Sequence, residues 1–312
     1  MKRLRVHAFH FPGWSRPHDE PKASQRGVRM RDTRRYDAIV LSSGGIRGCA
    51  HLGALDALHT RAPEALASVR TFVGTSAGAC VATMLALGYP PKDAMDAFVV
   101  PFTFKKDLRV HKLWTPNFGI EHGEALESFI GSIVARDLTF KMVHDQRNVV
   151  LGIVGTNLNR GTSAVFDVHR TPHMTVFEAL RVSCSVPLVF AACPIDGELH
   201  VDGAISNPFP MNVAMDHYGC TDILGLRFDT CNAPMDPTIK WRLDTYLGAI
   251  IDTLIHSQTL VIPTKRGVTT DVCTIATPAE ISAIDFELET ERKYDLFQAG
   301  SDAMVEFLKK LS

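Results

Sequence analysis

The chain has 312 residues, 46% hydrophobic and 21% charged, enough to bury one large core arranged as one domain or two. A formal net charge of −1 gives no global field toward nucleic acid or an anionic membrane, so no nucleic-acid partner is expected. Seven cysteines, an odd number without a Cys-x-x-Cys pair, argue against a small disulfide scaffold and suit a reduced, cytoplasmic protein.

Charge is nevertheless uneven. Residues 1–35 carry Lys2, Arg3, Arg5, Arg16, Lys22, Arg26, Arg29, Arg31, Arg34 and Arg35 against Asp19, Glu20 and Asp32, and they lack periodicity. A flexible basic arm is expected there. Phe9, Phe11 and Trp14 beside those arginines would suit a membrane interface, but an arm packed on its own domain or left mobile is the plainer expectation. The Arg-rich, acid-poor start also permits a mitochondrial transit peptide. No apolar signal-peptide stretch stands at the N-terminus. The most apolar run, residues 72–87, is too short to span a bilayer and is interrupted by Gly, Ser and Thr.

Order is expected to begin with a short strand at residues 37–42, running into Ser43-Gly44-Gly45-Ile46-Arg47-Gly48. Ala50, Leu52, Ala54, Leu55 and Leu58 then give a helix its apolar face. A second strand, residues 69–73, is closed by Gly74-Thr75-Ser76-Ala77-Gly78, and the helix-forming run after it is expected to stop at Pro90-Pro91. Residues 148–154 form an apolar strand of the kind buried on both faces, and residues 164–167 and 223–226 read as further strands. Strands alternating with helices predict an α/β sheet with much parallel pairing. Beyond residue 235 the pattern turns helical, and Phe297, Gly300, Met304, Phe307 and Leu311 recur at helical spacing.

Two glycine-bearing turns carry the chemistry. Gly74-Thr75-Ser76-Ala77-Gly78 lies between a strand and a helix, the setting of a Gly-x-Ser-x-Gly nucleophile elbow. A serine on so sharp a turn has its hydroxyl pushed into the open near the positive end of the next helix, and the flanking glycines leave room for the backbone. The earlier cluster, Gly44 to Gly48, also follows a strand and opens a helix, so its N–H groups can point at one spot. As a dinucleotide phosphate loop it matches poorly, because Ser43 stands at the first glycine position and Glu64 is an indifferent acidic partner. An oxyanion hole fits better beside an elbow one β-α unit later.

The serine also needs a base. The order Ser76, Asp202, His217 suits an α/β-hydrolase triad. The other candidate is Asp202 alone, in His200-Val201-Asp202-Gly203-Ala204 after the turn-like Ile195-Asp196-Gly197-Glu198. A carboxylate in reach of the hydroxyl takes its proton directly and returns it to the leaving oxygen. Taken by itself, Asp-Gly-Ala also reads as a β-turn.

In chain order, Gly-Gly-Ile-Arg-Gly, Gly-Thr-Ser-Ala-Gly and Asp-Gly-Ala resemble the motifs of the patatin-like phospholipases. Phe118-Gly119-Ile120 with Gly123-Glu124-Ala125-Leu126, and the stretches 137–140, 183–190 and 202–210, extend the resemblance, which covers residues 36–215. It implies a three-layer α/β/α fold with a central, mostly parallel sheet and a C-terminal helical segment. Ser76 would be the acyl-accepting nucleophile and Asp202 its base, a dyad without histidine. Gly44 and Gly45 would supply oxyanion amides, and Arg47 would stabilise that loop or a substrate phosphate. Gly48, Gly74, Gly78 and Gly203 complete the motifs. Ser43 departs from the family, which often has a further glycine there, and this questions the conformation of the loop although the Ser43 amide would still serve. Family members hydrolyse ester bonds of phospholipids or neutral lipids without a metal ion. No cofactor is implied, and the expected partner is an acyl-ester lipid met at a membrane surface.

Other residues have plainer expectations. His51, His200 and His217 should satisfy local hydrogen bonds, and no His-Glu-x-x-His or comparable spacing suggests a metal site. Cys49 and Cys80 read as small packing residues. Phe102, Phe104 and Trp114 interleave with Lys105, Lys106, Arg109, His111 and Lys112, the composition of a lipid-facing lid or of a solvated connection. The expected organisation is a basic arm at 1–35, a catalytic core at 36–215, and a strand and helices at 216–312 completing the same domain. The expected function is lipid acyl hydrolysis of phospholipase A type, at the membrane periphery. Its rivals are a Ser-Asp-His esterase and a non-enzymatic binding protein on the same scaffold.

Overall fold

The computed structural model describes residues 35–99, 118–121, 123–229, 262–278 and 281–311, with residues 246, 249, 250 and 253. The basic arm with Phe9, Phe11 and Trp14, the aromatic and basic stretch 102–114, and most of residues 235–261 lie outside the described residues.

In chain order the first elements are β1 (Ala38–Leu41), a 3-10 turn (Gly45–Arg47), α1 (Gly48–Arg61), α2 (Pro63–Ala67), β2 (Thr71–Thr75), α3 (Ala77–Leu87) and α4 (Pro91–Val99). There follow β3 (Gly119–Glu121), α5 (Glu124–Ile133), α6 (Phe140–Arg147), β4 (Val150–Asn157), β5 (Thr162–Phe166), α7 (Val176–Ser183), β6 (Leu188–Phe190), β7 (Cys193–Ile195) and β8 (Glu198–Asp202). A 3-10 turn (Gly203–Ile205), a π-helical turn (Val213–His217), β9 (Asp222–Asp229), β10 (Thr269–Ala276) and α8 (Thr290–Leu311) complete the chain.

The main sheet runs β10-β9-β1-β2-β4-β8-β7, with β5 also paired to β4. Pairing is parallel from β10 to β4 and antiparallel where β5, β7 and β8 join. Both faces are covered. In β1, Ile39 and Leu41 enter the large apolar cluster on one side, while Ala38 and Val40 enter a smaller one with Phe209, Met211 and Met215 on the other. A strand buried on both faces has no room for polar residues, which is why it reads as a continuous apolar run.

Strand β4 sets the geometry that matters most. Ile153 and Val154 pair with both β2 and β5, and Gly155 to Asn157 pair with both β5 and β8. One edge of a strand accepts one partner at a time, so β2 and β8 follow each other along the same edge of β4. β2 runs parallel to β4 and ends with Thr75 opposite Val154. β8 runs antiparallel and ends with Asp202 opposite Gly155. The two C-terminal ends therefore meet head to head, and residues far apart in sequence become neighbours.

Two sequence expectations change. α3 ends at Leu87 on Gly88, whose N–H bonds the Leu85 carbonyl and whose φ of 87° turns the chain so that the Tyr89 N–H reaches the Met84 carbonyl. Pro91 opens α4 instead of closing α3, since the first turn of a helix tolerates a missing N–H. On α8 the fully buried positions are Lys293, Leu296, Gly300, Met304 and Leu308, whereas Phe297 and Phe307 are half-buried and Leu311 is exposed. Close crossing with α1 causes this rotation. A Cβ on Gly53 would lie 1.8 Å from the Phe297 carbonyl oxygen, and one on Gly300 1.8 Å from that of Ala50.

Candidate active site

Ser76 stands between β2 and α3 with φ 55° and ψ −123°, a strained backbone for a residue with a side chain. The turn is possible because both flanking glycines are in backbone contact. A Cβ on Gly74 would lie 2.3 Å from the Gly78 oxygen, and one on Gly78 2.4 Å from the Leu41 oxygen. Although Ser76 caps α3, its side chain makes no capping bond to the helix. It donates instead to Asp202 Oδ2 at 2.8 Å.

Asp202 is held on every side. Its N–H donates to the Ser185 carbonyl at 2.9 Å, its own carbonyl accepts from Thr156 Oγ1 at 2.8 Å, and its Oδ1 accepts from the Ala204 N–H at 2.8 Å. Gly203 is required beside it, since a Cβ there would lie 2.2 Å from the Val154 oxygen. Burial pushes the Asp202 carboxyl up to about 7, partly offset by the bonds from the Ala204 N–H and the Ser76 hydroxyl. The Asp-Gly-Ala tripeptide is thus a strand end passing into a 3-10 turn.

The glycine loop follows β1. Ser43 N–H donates to the Pro208 carbonyl at 2.7 Å, Ile46 N–H to the Ala283 carbonyl at 3.1 Å, and Arg47 N–H to the Gly44 carbonyl at 3.1 Å. Among the described residues the N–H groups of Gly44 and Gly45 have no partner. The Ser43 amide, expected from sequence to be usable, is therefore already engaged. Gly45 has φ 55°, and a Cβ there would lie 1.7 Å from the Ala283 oxygen. Arg47 is buried and donates through Nε and Nη2 to the Ile281 carbonyl, at 3.1 and 2.7 Å. Of the two roles its motif suggests, these bonds suit bracing of the loop. Gly48 lets α1 approach α4, its Cβ position lying 2.7 Å from the Phe98 ring.

A cavity of about 820 Å³, counting the space that opens to solvent, is lined by Ser43, Gly44, Gly45, Ser76 and Asp202. Most of its remaining wall is apolar: Ile46, Phe98, Leu126, Phe129, Val186, Pro187, Phe190, Ile205, Ile284 and Phe286. Cys80 and Cys184 also line it, with their sulfurs 3.7 Å apart. Contact with Cys80 and burial hold the Cys184 thiol well above its ordinary range. Burial likewise pushes the Cys49 thiol up to about 12.

Among the described residues, no histidine lines this cavity. His51 is buried, its Nε2 3.0 Å from the Ser42 carbonyl, and burial pulls its pKa down to about 4. His200 accepts from Asn157 at 3.2 Å and donates to the Glu198 carbonyl at 3.1 Å. His217 is exposed on the π-helical turn and does not line the cavity. Among the described residues, no three His, Cys, Asp or Glu side chains are grouped to hold a metal ion.

Sequence reasoning missed Ser183 and Lys293. Ser183 Oγ accepts from the Ser76 N–H at 2.8 Å and donates to the Val154 carbonyl at 2.6 Å. It stands at the end of α7, which begins in a capping box between Thr175 and Glu178. The stretch 183–190 supports the family pattern, but nothing local in it discloses an elbow contact. Lys293 is 2% exposed and lines the cavity.

A serine elbow beside a buried carboxylate, on a mostly parallel sheet between helices, defines the class. Residues 39–215 match the family model described as patatin-like phospholipase, and the chain belongs to that family. It is 27% identical over 291 residues to protein R571 of Acanthamoeba polyphaga mimivirus, covering 88% of this chain and 94% of that one. It is 24% identical over 192 residues to probable lipid hydrolase 463L of Invertebrate iridescent virus 6, covering 59% and 64%. The crystal structure of VipD from Legionella pneumophila shares the fold, with a TM-score of 0.55 at 16% identity over 89% of this chain and 67% of that one.

Proposed function

We propose that this protein is a phospholipase A-type lipid acyl hydrolase working through an acyl-enzyme on Ser76. The observation that carries the reading is the 2.8 Å hydrogen bond from the Ser76 hydroxyl straight to Asp202, with no histidine between them. Asp202 takes the hydroxyl proton as Ser76 Oγ bonds to the ester carbonyl carbon. The oxyanion sits against the N–H groups of Gly44 and Gly45, which are free to receive it. Protonated Asp202 then gives its proton to the departing alcohol oxygen as the ester C–O bond breaks. In the second half it takes a proton from water, whose oxygen attacks the acyl carbon, and returns it to Ser76 as the fatty acid leaves. A carboxyl with a pKa of about 7 suits both directions of transfer near neutrality.

The apolar cavity wall accommodates an acyl chain. Contact with a lipid surface is supported by Phe118 and Leu188, 50% and 42% exposed, the first preceding β3 and the second pairing with Gly119 in the small β3–β6 sheet. Val186 and Pro187, next in sequence, line the cavity. No helix among the described residues is long and apolar enough to cross a membrane. The same reading takes 1–35 as a basic arm, 36–215 as the catalytic core and 216–312 as its completion, consistent with β9 pairing to β1.

The test is a phospholipid and glyceride panel read by mass spectrometry for released fatty acid, run beside fluorophosphonate labelling. Wild type should release fatty acid and label on Ser76, Ser76→Ala should do neither, and Asp202→Asn should lose turnover. His217→Ala should keep it. Loss of activity in His217→Ala with Asp202→Asn unaffected would overturn the dyad.

A further inference from the structure

We propose that the cavity contains an anion-recognising subsite built on the Lys293 ammonium, so that its substrate is an acyl ester carrying a negatively charged phosphoryl or carboxylate group. This deepens the acyl-hydrolase reading and rests on that reading's use of the cavity as the substrate site.

Lys293 lies in the first turns of α8 and is 2% exposed, yet it lines the same cavity as Ser76 and Asp202. Among the described residues no hydrogen bond or ion pair is found for its ammonium, which opens on the cavity instead of being sealed in protein. A cation on a largely buried side chain is disfavoured without a counter-charge, and buried charges are as a rule paired. The charged neighbour candidate is Cys49 on α1, but a thiol pushed up to about 12 stays protonated at neutral pH and offers no counter-charge. Burial pulls the Lys293 pKa below its ordinary value, as expected of a cation lacking an anion.

Packing alone does not require a lysine there. Position 293 falls seven residues before Gly300 and on the same buried face as Leu296 and Met304, where an apolar side chain of similar length would fill the space. Arg47, the cation that the glycine motif offers for a substrate phosphate, is committed to the Ile281 carbonyl. Arg47 does not line the cavity, and among its lining residues Lys293 is the cationic side chain. A phosphoryl group on the alcohol side of the ester, or a carboxylate on its acyl chain, would complete the pair.

The experiment uses the full chain carrying Ser76→Ala and measures calorimetric binding of decyl phosphate, decanoate and decan-1-ol below micelle formation. The Lys293 protein should bind one of the anions roughly 10-fold to 100-fold more tightly than the alcohol, the strength of a hydrogen bond to a charged group. Preference for the phosphate assigns the subsite to a head group, and preference for the carboxylate assigns it to the acyl chain. Adding Lys293→Met should abolish the preference and leave decanol binding unchanged. Equal affinity for all three ligands, or a preference that survives Lys293→Met, overturns the proposal. If Lys293→Met does not fold, Lys293→Gln replaces it, and the three-ligand comparison in the lysine protein still decides. Binding needs no turnover, so anion preference without hydrolysis would sink the hydrolase reading alone, and hydrolysis without preference would sink the subsite alone.

Discussion

The Ser183 hydroxyl joins the Ser76 N–H to the Val154 carbonyl, fastening the elbow to the strand on which Asp202 is also registered. Removing it in Ser183→Ala leaves a buried N–H and a buried carbonyl without that partner, a cost of about 1–3 kcal/mol. The variant should fold, with a lowered midpoint in chemical denaturation. On a soluble ester kcat should fall more than KM changes, because the hydroxyl is misaimed while the cavity persists. An unchanged kcat would remove Ser183 from the positioning of the elbow.

Asp202 makes opposite demands on stability and activity. Its folded pKa of about 7 lies above the ordinary value of 3.8, so its protonated form favours the native state. That contribution is complete below pH 3.8 and is lost as pH rises through about 7. With Asp202 as the proposed base, activity should need the ionised form and rise over the same interval to a plateau above it. Asp202→Asn should be inactive but more stable than wild type at pH 8, by on the order of 2 kcal/mol, with the gap narrowing at pH 5. Thermal unfolding at the two pH values checks this, and a gap that widens toward acid would refute it.

Arg47 should behave as a brace. Arg47→Met removes both bonds to the Ile281 carbonyl and frees the segment that holds Ile46 through Ala283. Turnover of a phosphate-bearing ester and of a neutral ester should drop by the same factor. A loss confined to the phosphate ester would instead make Arg47 a substrate ligand.

Phe118 and Leu188 both have positive φ, 52° and 68°, conformations that asparagine tolerates better than large apolar residues. Phe118→Asn with Leu188→Asn should therefore fold normally. Hydrolysis of vesicle lipid should weaken severalfold while soluble-ester turnover is kept. Equal loss on both substrates would exclude a surface-contact role.

Local turn geometry was legible in the sequence; long-range registration was not. The elbow could be read because Gly74, Ser76 and Gly78 act within one turn, and the strand–turn–helix context surrounds them. The pairing of Ser76 with Asp202 depends on β4, and no local pattern in residues 150–157 says that two strands share one of its edges. Family resemblance, not spacing, pointed to Asp202 over His217. Pro90-Pro91 looked like a helix stop because proline is a strong signal, but Gly88 had already ended the helix. Lys293 was hidden by type: in register with Gly300, it sits where the buried face falls, yet a lysine on a helix ordinarily reads as solvated.

Because the ends of β2 and β8 are laid against adjacent residues of β4, that strand is the ruler by which hydroxyl and carboxylate are spaced. Loops between residues 76 and 202 are free to lengthen or shorten without altering the spacing. One residue added between Val154 and Gly155 would carry Asp202 about 3.3 Å along the strand and turn it to the opposite face. Tolerance to insertion should thus collapse within a single strand that bears neither reacting group.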